Sequence, residues 1–117
     1  MQRKAKNIDV RAFISPDSPR FMDRLKLFIR SRGLAYSTEK TYIEWIRRFI
    51  NFNGYQSPEA LNLADVEKFL NYLANQRFCS PNTQATALNA LVFLFREFLK
   101  IDTKGLSFTH ARKQPKA

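Results

Sequence analysis

Ser37 to Ile50 reads S-T-E-K-T-Y-I-E-W-I-R-R-F-I. Tyr42, Trp45, Ile46, Phe49 and Ile50 recur at intervals of three and four, the period of a helix with one buried face. Lys40, Glu44, Arg47, Arg48 and Asn51 fall on a single stripe of the same helix. The hydroxyls of Ser37, Thr38 and Thr41 crowd the first turn, where free N–H groups and the positive dipole end favour phosphate. With Ser37 as N-cap and Gly54 as stop, the pattern predicts a helix near 37–53. An aromatic-anchored helix with a basic outer stripe suits a nucleic-acid surface. An ordinary solvated helix face has the same composition, so this helix does not decide the matter alone.

On the N-terminal side, Ser18-Pro19 reads as a cap followed by proline at the first helical position, and predicts a helix near 19–32. Phe21, Leu25, Phe28 and Ile29 form its inner face. Arg20, Arg24, Lys26, Arg30 and Arg32 cover much of the rest, and Gly33 suits a left-handed stop. Residues 1–17 are polar and basic and read as a flexible arm, with Val10, Phe13 and Ile14 as the candidates to lie on the domain.

On the C-terminal side, Asn62 caps a predicted helix near 63–76, with Asp65 in its first turn and Val66, Phe69, Leu70 and Leu73 inside. Glu59, Asp65 and Glu67 against Lys68 make this an acidic part of the surface, expected to face away from a polyanion. Ser80-Pro81 repeats the cap-plus-proline start for a helix near 81–99. Its second half, A-L-V-F-L-F, is apolar almost all round and belongs in the core. The basic tail 101–117 lacks periodicity and reads as a mobile linker. No period-two alternation occurs. The expectation is an all-α, compact four-helix, bundle-like domain over 18–100.

Twenty Lys and Arg against ten Asp and Glu give a formal net charge of +10. That excess on a small domain points to a polyanionic partner, and eleven Phe in 117 residues supply a core that a disordered basic tail lacks. The lone Cys79 cannot form an internal disulfide, and with the lone His110 it makes no metal cluster. The natural compartment is a reducing cytosol, and no cofactor or metal is expected. No apolar run approaches the ~20 residues of a membrane span. There is no Gly-rich phosphate loop or paired-carboxylate arrangement, and Tyr42 and Tyr72 occupy core-type helical positions.

The start of the last helix carries Asn82, Thr83, Gln84, Thr86 and Asn89, polar but uncharged. Amides can pair with adenine in the major groove, and Thr can meet bases or phosphates. Such residues are also favoured at helix starts for capping alone.

Three blocks then matter together: S-T-E-K-T-Y-I-E-W-I-R-R-F-I-N-F-N-G from 37, A-D-V-E-K-F-L-N-Y-L-A-N-Q-R from 64, and S-P-N-T-Q-A-T-A-L-N-A-L-V-F-L-F-R-E-F-L-K from 80. In this order and at these intervals they resemble the N-terminal SAM-like core-binding domain of tyrosine recombinases, and integron integrases most of all. The likeness covers about residues 20–100. It implies a helical domain on one side of a C-shaped clamp on double-stranded DNA, with the second and fourth helices facing the major groove. Thr38, Lys40, Thr41, Arg47 and Arg48 would then position phosphates. Asn82, Thr83, Gln84, Thr86 and Asn89 would approach phosphates or base edges. Asn53 stands where many members carry His.

The family's catalytic domain supplies arginines, a lysine, histidines and the tyrosine nucleophile, and nothing in this sequence matches it. The expectation is a non-catalytic DNA-binding domain whose full-length protein self-associates on attachment sites in DNA integration and recombination. The rival readings are a stand-alone helical DNA-binding regulator and a helical protein-interaction module.

Overall fold

The computed structural model describes residues 11–76 and 79–113. Among them are four α-helices and no strand, the all-α class expected. They are α1 (Phe21–Ser31), α2 (Tyr36–Phe52), α3 (Leu63–Ala74) and α4 (Pro81–Val92). A 3-10 turn occupies Pro58–Ala60, and a π-helical stretch, Phe93–Phe98, continues α4. The chain divides inside α2 into two compact units, Met1–Lys40 and Thr41–Ala117.

In the first unit α1 begins two residues later than the proline suggested. Ser18 does not cap it. Its hydroxyl accepts from the Arg20 N–H at 3.3 Å and donates to the Asp23 carboxylate at 2.7 Å, which shapes the approach to the helix rather than its first turn. Leu25 and Ile29 are buried as expected. Gly33, at φ +72°, ends the helix in the left-handed conformation that costs glycine nothing. Helix α2 starts at Tyr36, so Ser37 is helical and is not the N-cap. The first α2 bond runs from the Glu39 N–H to the Ala35 carbonyl at 3.0 Å.

The centre of this unit is an ionic cluster that the sequence reading passed over. Glu39 is only 3% exposed. Arg30 grips it with a fork, Nε to Oε1 and Nη2 to Oε2, both 3.0 Å. Arg11 adds a bond from Nη1 to Oε1 at 2.9 Å. The same guanidiniums also donate to backbone carbonyls, Arg30 to Ala12 at 2.8 Å and Arg11 to Leu34 at 3.0 Å. Arg11 and Ala12 are therefore tied to the helices, which corrects the reading of a loose arm for that segment. Phe13 is 87% exposed and does not lie on the domain. Ile14 is half-buried, while Val10 falls with residues 1–9 outside the described residues.

In the second unit Ile43, Trp45, Ile46 and Phe49 of α2 meet Val66, Phe69, Leu70 and Leu73 of α3 in a core completed by Ala87, Ala90, Leu91, Leu94 and Phe95. Phe69 is its hub. Its ring lies edge-on to Trp45 at 6.4 Å, to Phe49 at 5.7 Å and to Phe52 at 5.3 Å. Edge-to-face pairs align the positive rim of one ring with the negative face of the next. Phe49 also reaches Phe95 at 6.1 Å, which brings in the π-helical stretch.

Helix α2 ends in a Schellman motif: the Tyr55 N–H bonds the Ile50 carbonyl at 2.8 Å and that of Gly54 bonds Asn51 at 3.1 Å. Asn62 and Asp65 form a reciprocal capping box at the start of α3, as expected. Helix α3 ends at Ala74, two residues short of the expected end.

Ser80 caps α4 and Pro81 takes its first position, again as expected. The α-helix stops at Val92, however, and the remaining turn widens, with the Leu99 N–H bonding the Leu94 carbonyl at 2.9 Å. Nothing in F-L-F-R-E-F marks that change.

Two outcomes follow. Trp45 is 8% exposed, so Trp45→Ala should destabilise the protein by ~3–5 kcal/mol and lower the melting temperature sharply in a thermal scan. For Glu39, burial pushes the pKa up. The hydrogen bonds and charges of Arg30 and Arg11 together outweigh that effect and hold the carboxyl below its ordinary value of 4.5. The folded pKa is thus depressed, so this stabilisation is complete above about pH 4.5 and is lost as the pH falls through the folded value. Glu39→Gln should cost about 2–3 kcal/mol at neutral pH, below the range for a fully buried pair because both guanidiniums keep some solvent. Urea titrations below pH 4.5 should show the variant losing less stability with acid than the parent.

Candidate nucleic-acid interface

The part of the α2 stripe that lies in the second unit is exposed as expected: Glu44, Arg47, Arg48 and Asn51 all face solvent, as does Thr41 of the first turn. The packing of Trp45 shapes it. The indole is anchored against Phe69, and the Arg48 guanidinium sits 4.8 Å from its ring centroid. Glu44 accepts from Arg48 Nε at 2.9 Å and lies 3.8 Å from Arg47 Nη1. All three side chains are about half exposed, so these pairs stabilise the fold little. They orient the two cations, and they compete with any phosphate that approaches.

The first turn of α4 is built by Ser80, whose hydroxyl accepts from the Thr83 N–H at 3.1 Å and shares a 3.0 Å bond with the Thr83 hydroxyl. Asn82 and Asn89 are exposed, and Thr83 and Thr86 are half-buried. The Thr86 hydroxyl donates back to the Asn82 carbonyl at 2.9 Å, which uses its proton inside the helix.

Gln84 is the correction. It is 3% exposed, and its amide is consumed internally. Nε2 donates to the carbonyls of Leu70, at 2.9 Å, and Thr109, at 2.8 Å. Oε1 accepts from the Ala111 N–H at 2.8 Å. A residue so placed is not available to a base edge. Gln84 lies on the inner side of a helix whose other short polar residues lie outside, and residue type alone does not distinguish the two.

Between these elements lies a cleft of about 730 Å³. Arg48, Asn51 and Phe52 of α2, Tyr72 and Gln76 of the α3 end, and Thr83 of α4 are among its lining residues. The fold thus brings one member of each sequence-derived set, Arg48 and Thr83, to the same cavity. Asn51, Tyr72 and Gln76 were not among the expected site residues. Tyr72, read as a core position, is 45% exposed, with its ring 5.0 Å from Phe52 and stacked on Phe69 at 6.4 Å. It sits at the border of the α3 apolar stripe, where helical spacing does not tell wall from core.

Cys79 also lines the cleft, and burial pushes its thiol pKa up, which suits a packing residue more than a reactive thiol. In the first unit, Thr38 is half-buried, and Lys40 is exposed with its ammonium 5.4 Å from the Tyr36 ring. Among the described residues no His, Cys, Asp or Glu cluster could hold a metal ion, and no helix is long and apolar enough to cross a membrane.

Residues 21–104 match the family described as phage integrase, N-terminal SAM-like domain. The chain belongs to that family. It is also 39% identical over 89 residues to proteins named integrase/recombinase from Escherichia coli and from Pseudomonas aeruginosa. That alignment takes in 76% of this chain and 26% of each relative, so the chain spans about a quarter of their length.

In this integrase N-terminal domain the acidic α3 residue Glu67 has an internal use as well. Its carboxylate accepts the Ser107 N–H at 2.8 Å, and Asn71 Oδ1, one turn on, accepts that of Thr109 at 2.6 Å. Residues 107–111 are therefore held on the second unit, where the sequence suggested a free linker. Residues 114–117 of that tail lie outside the described set.

Proposed function

We propose that this chain is the DNA-binding part of a site-specific tyrosine recombinase of the integron integrase type, and that it clamps attachment-site duplex while strand exchange is carried out elsewhere in the whole protein. The observation that carries the reading is the cleft at which the basic stripe of α2 and the polar first turn of α4 meet, lined by both Arg48 and Thr83. Family membership and the integrase/recombinase relatives support the same class of partner.

Thr38, Lys40, Thr41, Arg47 and Arg48 position phosphates. Asn82, Thr83, Thr86 and Asn89 meet phosphates or base edges, and Gln84 is withdrawn from the set. Self-association on DNA and a cytoplasmic location belong to the same proposal for the whole protein.

Four to six phosphate contacts give a slope of log K against log salt of roughly −4 to −5. Fluorescence anisotropy over a salt series should find duplex binding with that dependence, and no binding to any duplex at low salt would sink the reading. Replacing Arg47 and Arg48 together by Ala should weaken all duplexes about equally and flatten the slope by up to about 2. Asn89→Ala should cost up to ~1–3 kcal/mol if it makes a bidentate base contact, with a larger loss on an attachment site than on random duplex.

A further inference from the structure

Residues 107, 109 and 111 alternate in their bonding. The Ser107 N–H goes to Glu67, that of Thr109 to Asn71, and that of Ala111 to Gln84. An extended chain advances about 6.6 Å in two residues, and a helix about 6 Å in four. The spacing of Glu67 and Asn71 on α3 therefore matches every second residue of the segment. After Asn71 the segment meets Gln84, in the first turn of α4, and brackets its amide. The carbonyl of Thr109 takes a proton from Nε2, and the N–H of Ala111 gives one to Oε1. Ala111 is itself 7% exposed. Gln84 stands next to Thr83, which lines the cleft, and two residues after the exposed Asn82.

We propose that residues 107–111 are a positioning strap: through Gln84 they fix the first turn of α4 from its inner side, so that the outer side presents Asn82 and Thr83 in one orientation. The proposal rests on the DNA-binding reading above. If the strap leaves, a buried amide keeps only its bond to Leu70, with an unpaired oxygen and an unpaired N–H. The turn must then shift or admit water to satisfy them. The strap itself need not touch DNA, so Gln84, Thr109 and Ala111 act as positioning residues.

The test uses the whole chain with two changes made separately. Ala111→Pro removes one N–H from the strap and alters neither α3 nor α4. Gln84→Leu fills similar space without the amide, and a failure of Gln84→Leu to fold leaves Ala111→Pro to decide. Amide exchange by NMR follows the N–H groups of Thr83 and Gln84, which bond Ser80, alongside that of Thr109. Duplex affinity is measured over a salt series.

The expected result is faster exchange at all three amides and duplex binding weakened about threefold to tenfold. The slope of log K against log salt should not change, because no phosphate contact is removed. A merely structural loss would lower the melting temperature without the selective rise at Thr83 and Gln84. Rising exchange at Thr109 with none at Thr83 and Gln84 overturns the proposal. So does release of the strap with unchanged duplex affinity, an outcome that leaves the DNA-binding reading intact. Absence of duplex binding by the unaltered protein overturns both.

Discussion

The second unit depends on the placement of one ring. Phe69 meets Trp45, Phe49 and Phe52 of α2 and stacks with Tyr72 of its own helix. The contacts are directional as well as apolar, so they set the rotation of α3 about its axis, not only its distance from α2. The floor of the cleft follows from that rotation. With Phe69 turned inward, Tyr72 is left at the border and lines the cleft, beside Phe52 and with Arg48 and Asn51 of α2. The same packing holds Trp45 where its ring can carry Arg48. Core and candidate interface are two sides of one set of aromatic contacts.

Polar groups buried inside the chain have a different task from those on its surface. Glu39 and Gln84 are each 3% exposed, and each gathers bonds from segments distant in sequence. Glu39 draws in Arg11 and Arg30, and those guanidiniums in turn bind backbone carbonyls. Gln84 draws in Leu70, Thr109 and Ala111. Unpaired, either group would be costly in the interior, so the fold is specific about what must lie beside it. These two side chains tie the segments at either end of the described chain to the helices, segments that composition alone marks as loose.

The charge of +10 is not deployed evenly. Arg11 and Arg30 are turned toward Glu39, while Arg47 and Arg48 stand exposed beside Glu44. Net charge is therefore a poor count of phosphate-binding capacity. It measures the long-range attraction of the chain for a polyanion, and local pairing decides which cations reach it.

The all-α class, the four helices, the Asn62–Asp65 and Ser80–Pro81 caps, the inner face of α3 and the Trp45, Ile46 and Phe49 part of the α2 face were legible in the sequence, whereas the buried Ile43 was missed. They rest on local periodicity and on capping chemistry, which act over a few residues. The exposed basic stripe of α2 was legible for the same reason. Tertiary structure decided the rest. It shortened α1 and ended α4 in a π-helical turn that no residue announces. It turned Gln84 inward while Asn82 and Asn89 remained outside, although all three are amides on one helix. It buried Glu39 while Glu44, five residues on, stayed in solvent. The last two outcomes depend on which distant segment packs against the helix: residues 107–111 for Gln84, Arg11 for Glu39. A local pattern can say that a side chain is polar, but only a partner brought by the fold decides whether that polarity serves the interior or a ligand.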